Sequence, residues 1–174
     1  METVLVSIIC IALVVFGGMT MSQGFMTSVD ASTTGLSEIG QRTEIMMRTE
    51  LTPISTNITL LAGADPLEIV LENTGQTKMA DFEKWDVIVQ YYDDSSGYHI
   101  EWLPYAEGGA GTYEWEVGWI RLYGQAETFE PNVLNPGEQI MIKTWLDPSV
   151  GASTTNMVVI STPTGITSST YFSP

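Results

Sequence analysis

The most regular pattern of apolar and polar positions is at the front of the chain. Residues 4–26 contain no charged side chain, and this run of 23 residues exceeds the ~20 that a helix needs to cross the hydrocarbon of a bilayer. Val4, Leu5, Ile8, Ile9, Ile11, Leu13, Val14, Val15, Phe16, Met19, Phe25 and Met26 give it bulky apolar side chains all round. The pattern then narrows but does not stop. Val29, Leu36, Ile39 and Met46 follow at spacings of seven, three and seven, with Met47 beside the last, which keeps an apolar stripe on one helix face. Glu38 with Arg42, and Glu44 with Arg48, are i,i+4 pairs with the acid N-terminal, the better order on a helix. Pro53 is the expected stop, because proline lacks a backbone donor and pushes the residue before it towards extended geometry. One helix is expected from about residue 2 to 50, roughly 70 Å long. Gly17, Gly18, Gly24 and Gly35 are expected points of bending or of close approach by another helix. Ser28 to Gly35, poor in helix formers, reads as a partly melted joint.

After residue 50 the period falls to two. Short strands are expected over 54–61, 67–72, 85–92, 98–103, 114–123, 139–146, 156–162 and 167–172. Leu67, Ile69 and Leu71 share one side of their strand; so do Trp85, Val87, Val89 and Tyr91, and so do Trp115, Val117 and Trp119. Turn signals separate them: the break 62–66, Asn73-Thr74-Gly75, the hairpin Asp93 to Gly97, and Leu134-Asn-Pro-Gly-Glu138. Seven or eight short strands with no recurring helical period predict an α+β chain, a long N-terminal helix followed by an all-β sandwich. The expected division is residues 1–50 for the helix and 51–174 for the sandwich.

Charge sharpens this picture. The chain has a formal net charge of −15, and residues 51–174 hold 16 of its 21 acids. Such acidity argues against nucleic acid as a partner and suits a surface exposed to an external medium. No Lys or Arg precedes the apolar run, and the first base is Arg42. A signal peptide has a basic leader and a shorter core, and a plain anchor has a basic cytoplasmic flank. The expectation is a processed chain whose basic leader has been removed. The single cysteine, Cys10, excludes intrachain disulfides and reads as a small hydrophobe, not a lipid attachment site.

Two stretches carry a resemblance. Glu72 to Asp93, with Asn73-Thr74-Gly75, Phe82 and Trp85-Asp86-Val87, is similar to a strand-turn-strand of archaellum proteins, and Leu134-Asn-Pro-Gly-Glu138 to a turn of the same outer domains. Behind such a helix, they make the chain resemble an archaellin, the archaeal-type flagellin, within the type IV pilin-like class. Ordinary type IV pilins carry a glutamate five residues after the leader cut. Here position five is Leu5, which points to archaellins. The resemblance implies an Ig-like outer domain and a structural subunit of an extracellular helical filament for swimming. It implies a homopolymer held through the N-terminal helices, a membrane-inserted state before assembly, and a prepilin-type peptidase and membrane assembly machinery as partners. A membrane-anchored accessory archaellum protein and an adhesive pilin are the alternatives.

Other chemistry is thin. The chain is read as no enzyme, with no cofactor and no metal. His99 is expected on a strand surface, far from Cys10, and Glu114 with Glu116 as a solvated acidic face. Asp93 to Gly97 is read as a hairpin turn in preference to a Ca²⁺ loop, since it lacks the spaced ligands. Gly108 to Gly111 reads as a flexible loop. Trp85, Trp102, Trp115, Trp119 and Trp145 are expected in the core or at subunit contacts, ahead of a sugar-binding platform. Asn57-Ile58-Thr59 is an N-glycosylation acceptor pattern at Asn57.

Overall fold

The structure, a computed structural model, describes residues 2–60, 65–122, 124–126 and 130–174. Its contacts divide the chain into two compact units, Met1–Glu44 and Ile45–Pro174. The first belongs to a single helix, α1, which runs Glu2–Arg48. The joint expected at Ser28–Gly35 is helical throughout. Its hydroxyls explain why: Ser32, Thr33 and Thr34 donate to the carbonyls of Ser28, Val29 and Asp30 at 2.9–3.0 Å. Side chains that usually draw the backbone out of a helix are bonded within it.

The second unit holds nine strands among the described residues, in two antiparallel sheets. They are β1 Leu51–Ile58, β2 Asp65–Asn73, β3 Asp86–Tyr92, β4 Tyr98–Leu103, β5 Trp115–Leu122, β6 Gln125–Ala126, β7 Gln139–Leu146, β8 Asn156–Ser161 and β9 Thr167–Phe172. One sheet has the order β1-β2-β7-β5-β6 and the other β4-β3-β8-β9. The α+β sandwich expected from the sequence is therefore the fold. Strict alternation does the work: in β2 and β7 every second residue is fully buried, Leu67, Ile69 and Leu71 lying beside Ile140, Ile142 and Leu146 on the inner face of one sheet. The other sheet supplies Val87, Val89, Tyr91, Val158 and Ile160. Burying side chains of this size contributes roughly 1.5–3 kcal/mol each.

Three local expectations need correction. Pro53 does not end the helix, which stops at Arg48; it lies inside β1, an edge strand, where its missing donor is tolerated. The strand expected to begin at residue 54 begins at Leu51, while Leu61 and the break at 62–64 lie outside the described residues. Trp119 does not share a face with Trp115 and Val117, because the β5–β7 register shifts between Val117 and Trp119. The bulge at Gly118 turns Trp119 outward opposite Met141 and points Ile120 inward opposite Ile140. Tyr123, the last residue of that expected strand, lies outside the described residues.

The end of α1 is tied to the sandwich by the Asn73-Thr74-Gly75 turn. Gln76 N–H donates to the Arg48 carbonyl at 2.7 Å and Gly75 N–H to the Glu50 carbonyl at 3.2 Å. A Cβ at residue 75 would lie 2.5 Å from Glu50 N and 2.7 Å from Arg48 O, so two main chains meet where only glycine fits. Asn73 is fully buried, and its amide nitrogen donates to the carbonyls of Thr77 at 2.8 Å and Leu134 at 3.1 Å. Its backbone N–H reaches the Glu138 carbonyl, its own carbonyl receives Gly137 N–H, and Glu138 in turn accepts from Asn135 N–H. The two sequence stretches of the resemblance thus form one hydrogen-bonded junction. Gly75→Ala is expected to destabilise the sandwich by ~1–3 kcal/mol through overpacking against backbone, read as a lower urea midpoint by tryptophan fluorescence. Gly40→Ala, with nothing within 4 Å of the added carbon, is expected to show no such loss.

Candidate functional site

The most extended run of exposed apolar side chains is on α1. Each of the twelve large apolar residues expected to form its assembly face, Val4 through Met26, is exposed in the single chain, from 51% at Ile9 to 74% at Val14. The helix is long and apolar enough, by length and composition, to cross a membrane. The narrower stripe beyond it is exposed too, with Leu36 at 70% and Ile39 at 61%. Gly17, Gly18 and Gly24 have no heavy atom within 4 Å of an added Cβ.

The sandwich offers little for chemistry. Among the described residues no group of three or more His, Cys, Asp or Glu side chains gathers as metal ligands would. A cleft of about 210 Å³ beside Thr49, Trp85 and Thr162 contains Lys78 and Asp81, but these are already paired with Glu130 and Lys84, each at 2.6 Å. That volume is below the ~300 Å³ of ordinary ligand pockets, while two more open clefts of about 450 and 380 Å³ lie around Tyr105, Glu107 and Asn132.

Asp93 to Gly97 is a hairpin turn joining β3 to β4. The Asp93 Oδ1 accepts Ser95 N–H and Gly97 N–H, both at 2.7 Å, and its Oδ2 lies 2.9 Å from His99 Nε2. Both Asp93 carboxylate oxygens are thus engaged within the hairpin. His99 is half-buried, its ring stacked on Tyr91 with centroids 4.9 Å apart, so it is a hairpin brace and not the surface residue expected. The hydrogen bond from His99, followed by that from Gly97 N–H, holds the Asp93 carboxyl below its usual 3.8. Glu114 and Glu116 do not form a solvated pair: Glu114 Oε2 accepts Gly111 N–H at 2.8 Å, and Glu116 Oε2 accepts Gly109 and Ala110 N–H at 2.7 and 3.1 Å. The loop expected to be flexible is held by these two acids.

The tryptophans divide. Trp85 and Trp115 are core residues, while Trp102 is 58% exposed. Trp119 and Trp145 are half-buried on the outer face of their sheet beneath Arg121 and Lys143, at 4.5 and 4.9 Å from the ring centroids. Sequence alternation foretold the core pair. The cation caps are legible only as basic residues two positions away on the same strand. Asn57 is exposed on edge strand β1.

The chain thus joins a helix of membrane-spanning length and composition to a two-sheet antiparallel sandwich. The chain belongs to the archaeal-type flagellin family, whose profile matches residues 3–172, helix and sandwich together. That family is a structural component of the archaellum. Two solved structures share the fold. The archaellum periplasmic stator protein FlaG from Sulfolobus acidocaldarius is 20% identical with a TM-score of 0.52, over 71% of this chain and 99% of that one. The stator protein complex of FlaF and FlaG from the same organism gives 20% identity and 0.51, over 71% and 89%. A search of curated proteins finds no match.

The depressed Asp93 carboxyl fixes the direction of one pH effect. Its contribution is present above the unfolded value and lost as pH falls through the lower folded one. Protection factors of the Ser95 and Gly97 amides in hydrogen exchange should therefore hold from neutral pH to about pH 4 and fall below it. Asp93→Ala should lower them at every pH.

Proposed function

We propose that this chain is a filament subunit: residues 1–50 form the core of an extracellular, type IV pilin-like helical polymer, and residues 51–174 form its wall. The observation that supports this reading is where the apolar surface of α1 ends. The uncharged run of 23 residues already spans roughly 35 Å, more than the ~30 Å of a bilayer's hydrocarbon. Yet the apolar stripe continues through Leu36 and Ile39, both well exposed. Lipid covers the first part of the helix. Only other protein covers both parts, and sister helices carry the matching stripe.

The energetics favour the exchange once the helix leaves the membrane. In lipid, two apolar helices gain little by meeting, since the surroundings are equally apolar. Out of lipid, each Leu- or Val-sized side chain buried against a neighbour contributes roughly 1.5–3 kcal/mol, offset by the cost of ordering the subunits. A screw relation between copies repeats one such contact without closing, which gives a fibre. In this reading the helix rests in the membrane before assembly. A prepilin-type peptidase trims the leader, an assembly machine draws the chain into the fibre, and the fibre serves swimming. Asn57 lies on the outer wall as a glycan acceptor. The alternative is an accessory component that stays anchored in the membrane.

The two readings separate on Val14→Asp and Leu36→Glu, with sheared surface material examined by electron microscopy. A subunit should appear as fibres in the wild type, and both substitutions should abolish them. An anchored accessory protein should stay in the membrane fraction without fibres, and Leu36→Glu should leave that retention unchanged. Normal fibres from Val14→Asp would falsify the core assignment.

A further inference from the structure

Charges on α1 are few, and two of them are left open. Between residues 3 and 37 Asp30 is the only charged side chain. Its carbonyl accepts the Thr34 hydroxyl at 3.0 Å, but its exposed carboxylate has no partner among the described residues. Arg42, also exposed, is the one base in the same condition among the described residues. Lys78 and Lys84 are held by Glu130 and Asp81, Arg121 and Lys143 lie over Trp119 and Trp145, and Arg48 also interacts within the chain. Glu38, four residues before Arg42 and spaced to pair with it, does not bond to it in the structure.

We propose that Arg42 of one copy pairs with Asp30 of the next, and that this contact sets the axial register of the helices in the fibre. The inference rests on the filament reading. A fibre that buries the apolar run up to Met26 also draws in the turn beyond it, and a carboxylate among apolar neighbours is costly unless a cation meets it. Helix geometry selects the partner. At 3.6 residues per turn Asp30 and Arg42 point about 120° apart round α1, whereas Glu38 and Arg42 are only about 40° apart. Copies related by a screw meet through unlike surfaces, each offering one face to the copy ahead and another to the copy behind. Asp30 and Arg42, on different faces, suit such a contact. Glu38 and Arg42, on one face, do not meet across it.

The pair supplies what the apolar run lacks. Side chains of similar size and character repeat from Val4 to Met26, so one helix could slide past another by a turn with little change in buried surface. A single polar pair in an apolar bundle fixes register at some cost in stability. The rise from Asp30 to Arg42 is about 18 Å at 1.5 Å per residue, so touching parallel helices are offset by about that distance along the fibre.

The test uses the full-length chain and counts sheared fibres by electron microscopy. Asp30→Arg and Arg42→Glu, made separately, each put like charges at the contact and should cut fibre yield about tenfold or more. The chain carrying both changes should recover. So should cells making the two single variants together, with both chains in each fibre, because every Arg42 then meets a carboxylate on a neighbour and every substituted residue 42 meets the substituted residue 30. No contact within one chain can be restored by such mixing. A reconstruction of wild-type fibres should show touching helices offset by about 18 Å. A wild type without fibres defeats the filament reading and this contact with it. Given wild-type fibres, the contact alone is overturned by an unchanged yield in either single variant, by a mixture that fails to recover, or by an offset that leaves Arg42 out of reach of the neighbour's Asp30.

Discussion

An apolar rod with nothing around it is the constraint under which the rest of the chain makes sense. Every large apolar side chain of α1 from Val4 to Met26 is exposed in the single molecule. A surface of this kind is costly to leave in water. The sandwich is built the opposite way. Its core is closed within itself, and its acids keep it in solution. In the filament reading, that division would let one chain pass between two surroundings without refolding its outer domain.

The junction around Asn73 is polar. Asn73, buried and bonded to Thr77, Leu134, Gly137 and Glu138, fastens the turn after β2 to the turn before β7. The same turn takes the last carbonyls of the helix region. A buried amide with several partners is costly to disturb, since each lost bond leaves a carbonyl unpaired away from water. The two short motifs that suggested the family are therefore one structural device seen twice.

Most of the architecture was readable from period alone. The change from an unbroken apolar run to alternation at two, near residue 50, marks helix and sandwich, and strict alternation in β2, β3 and β7 identifies the core. What failed was local and competitive. Pro53 looked like a helix stop because its cost is severe in a helix, but an edge strand accepts it. Ser32, Thr33 and Thr34 looked like breakers because the sequence does not show that their hydroxyls turn back on the preceding turn. Trp119 was placed by counting in twos, and a single extra residue at Gly118 defeats that count for everything after it. The role of His99 depended on Asp93, six residues earlier, and on Tyr91 beneath it, a coincidence of fold that no linear pattern states.

The junction at Gly75 and Gln76 also has a mechanical meaning. Two main-chain bonds, to the carbonyls of Glu50 and Arg48, run side by side where the chain leaves the helix. Pulling residues 48–50 away from the sandwich would have to break both before β1 could leave the sheet edge. The start of β1 is thus held by a pair of main-chain bonds and not by a single peptide hinge.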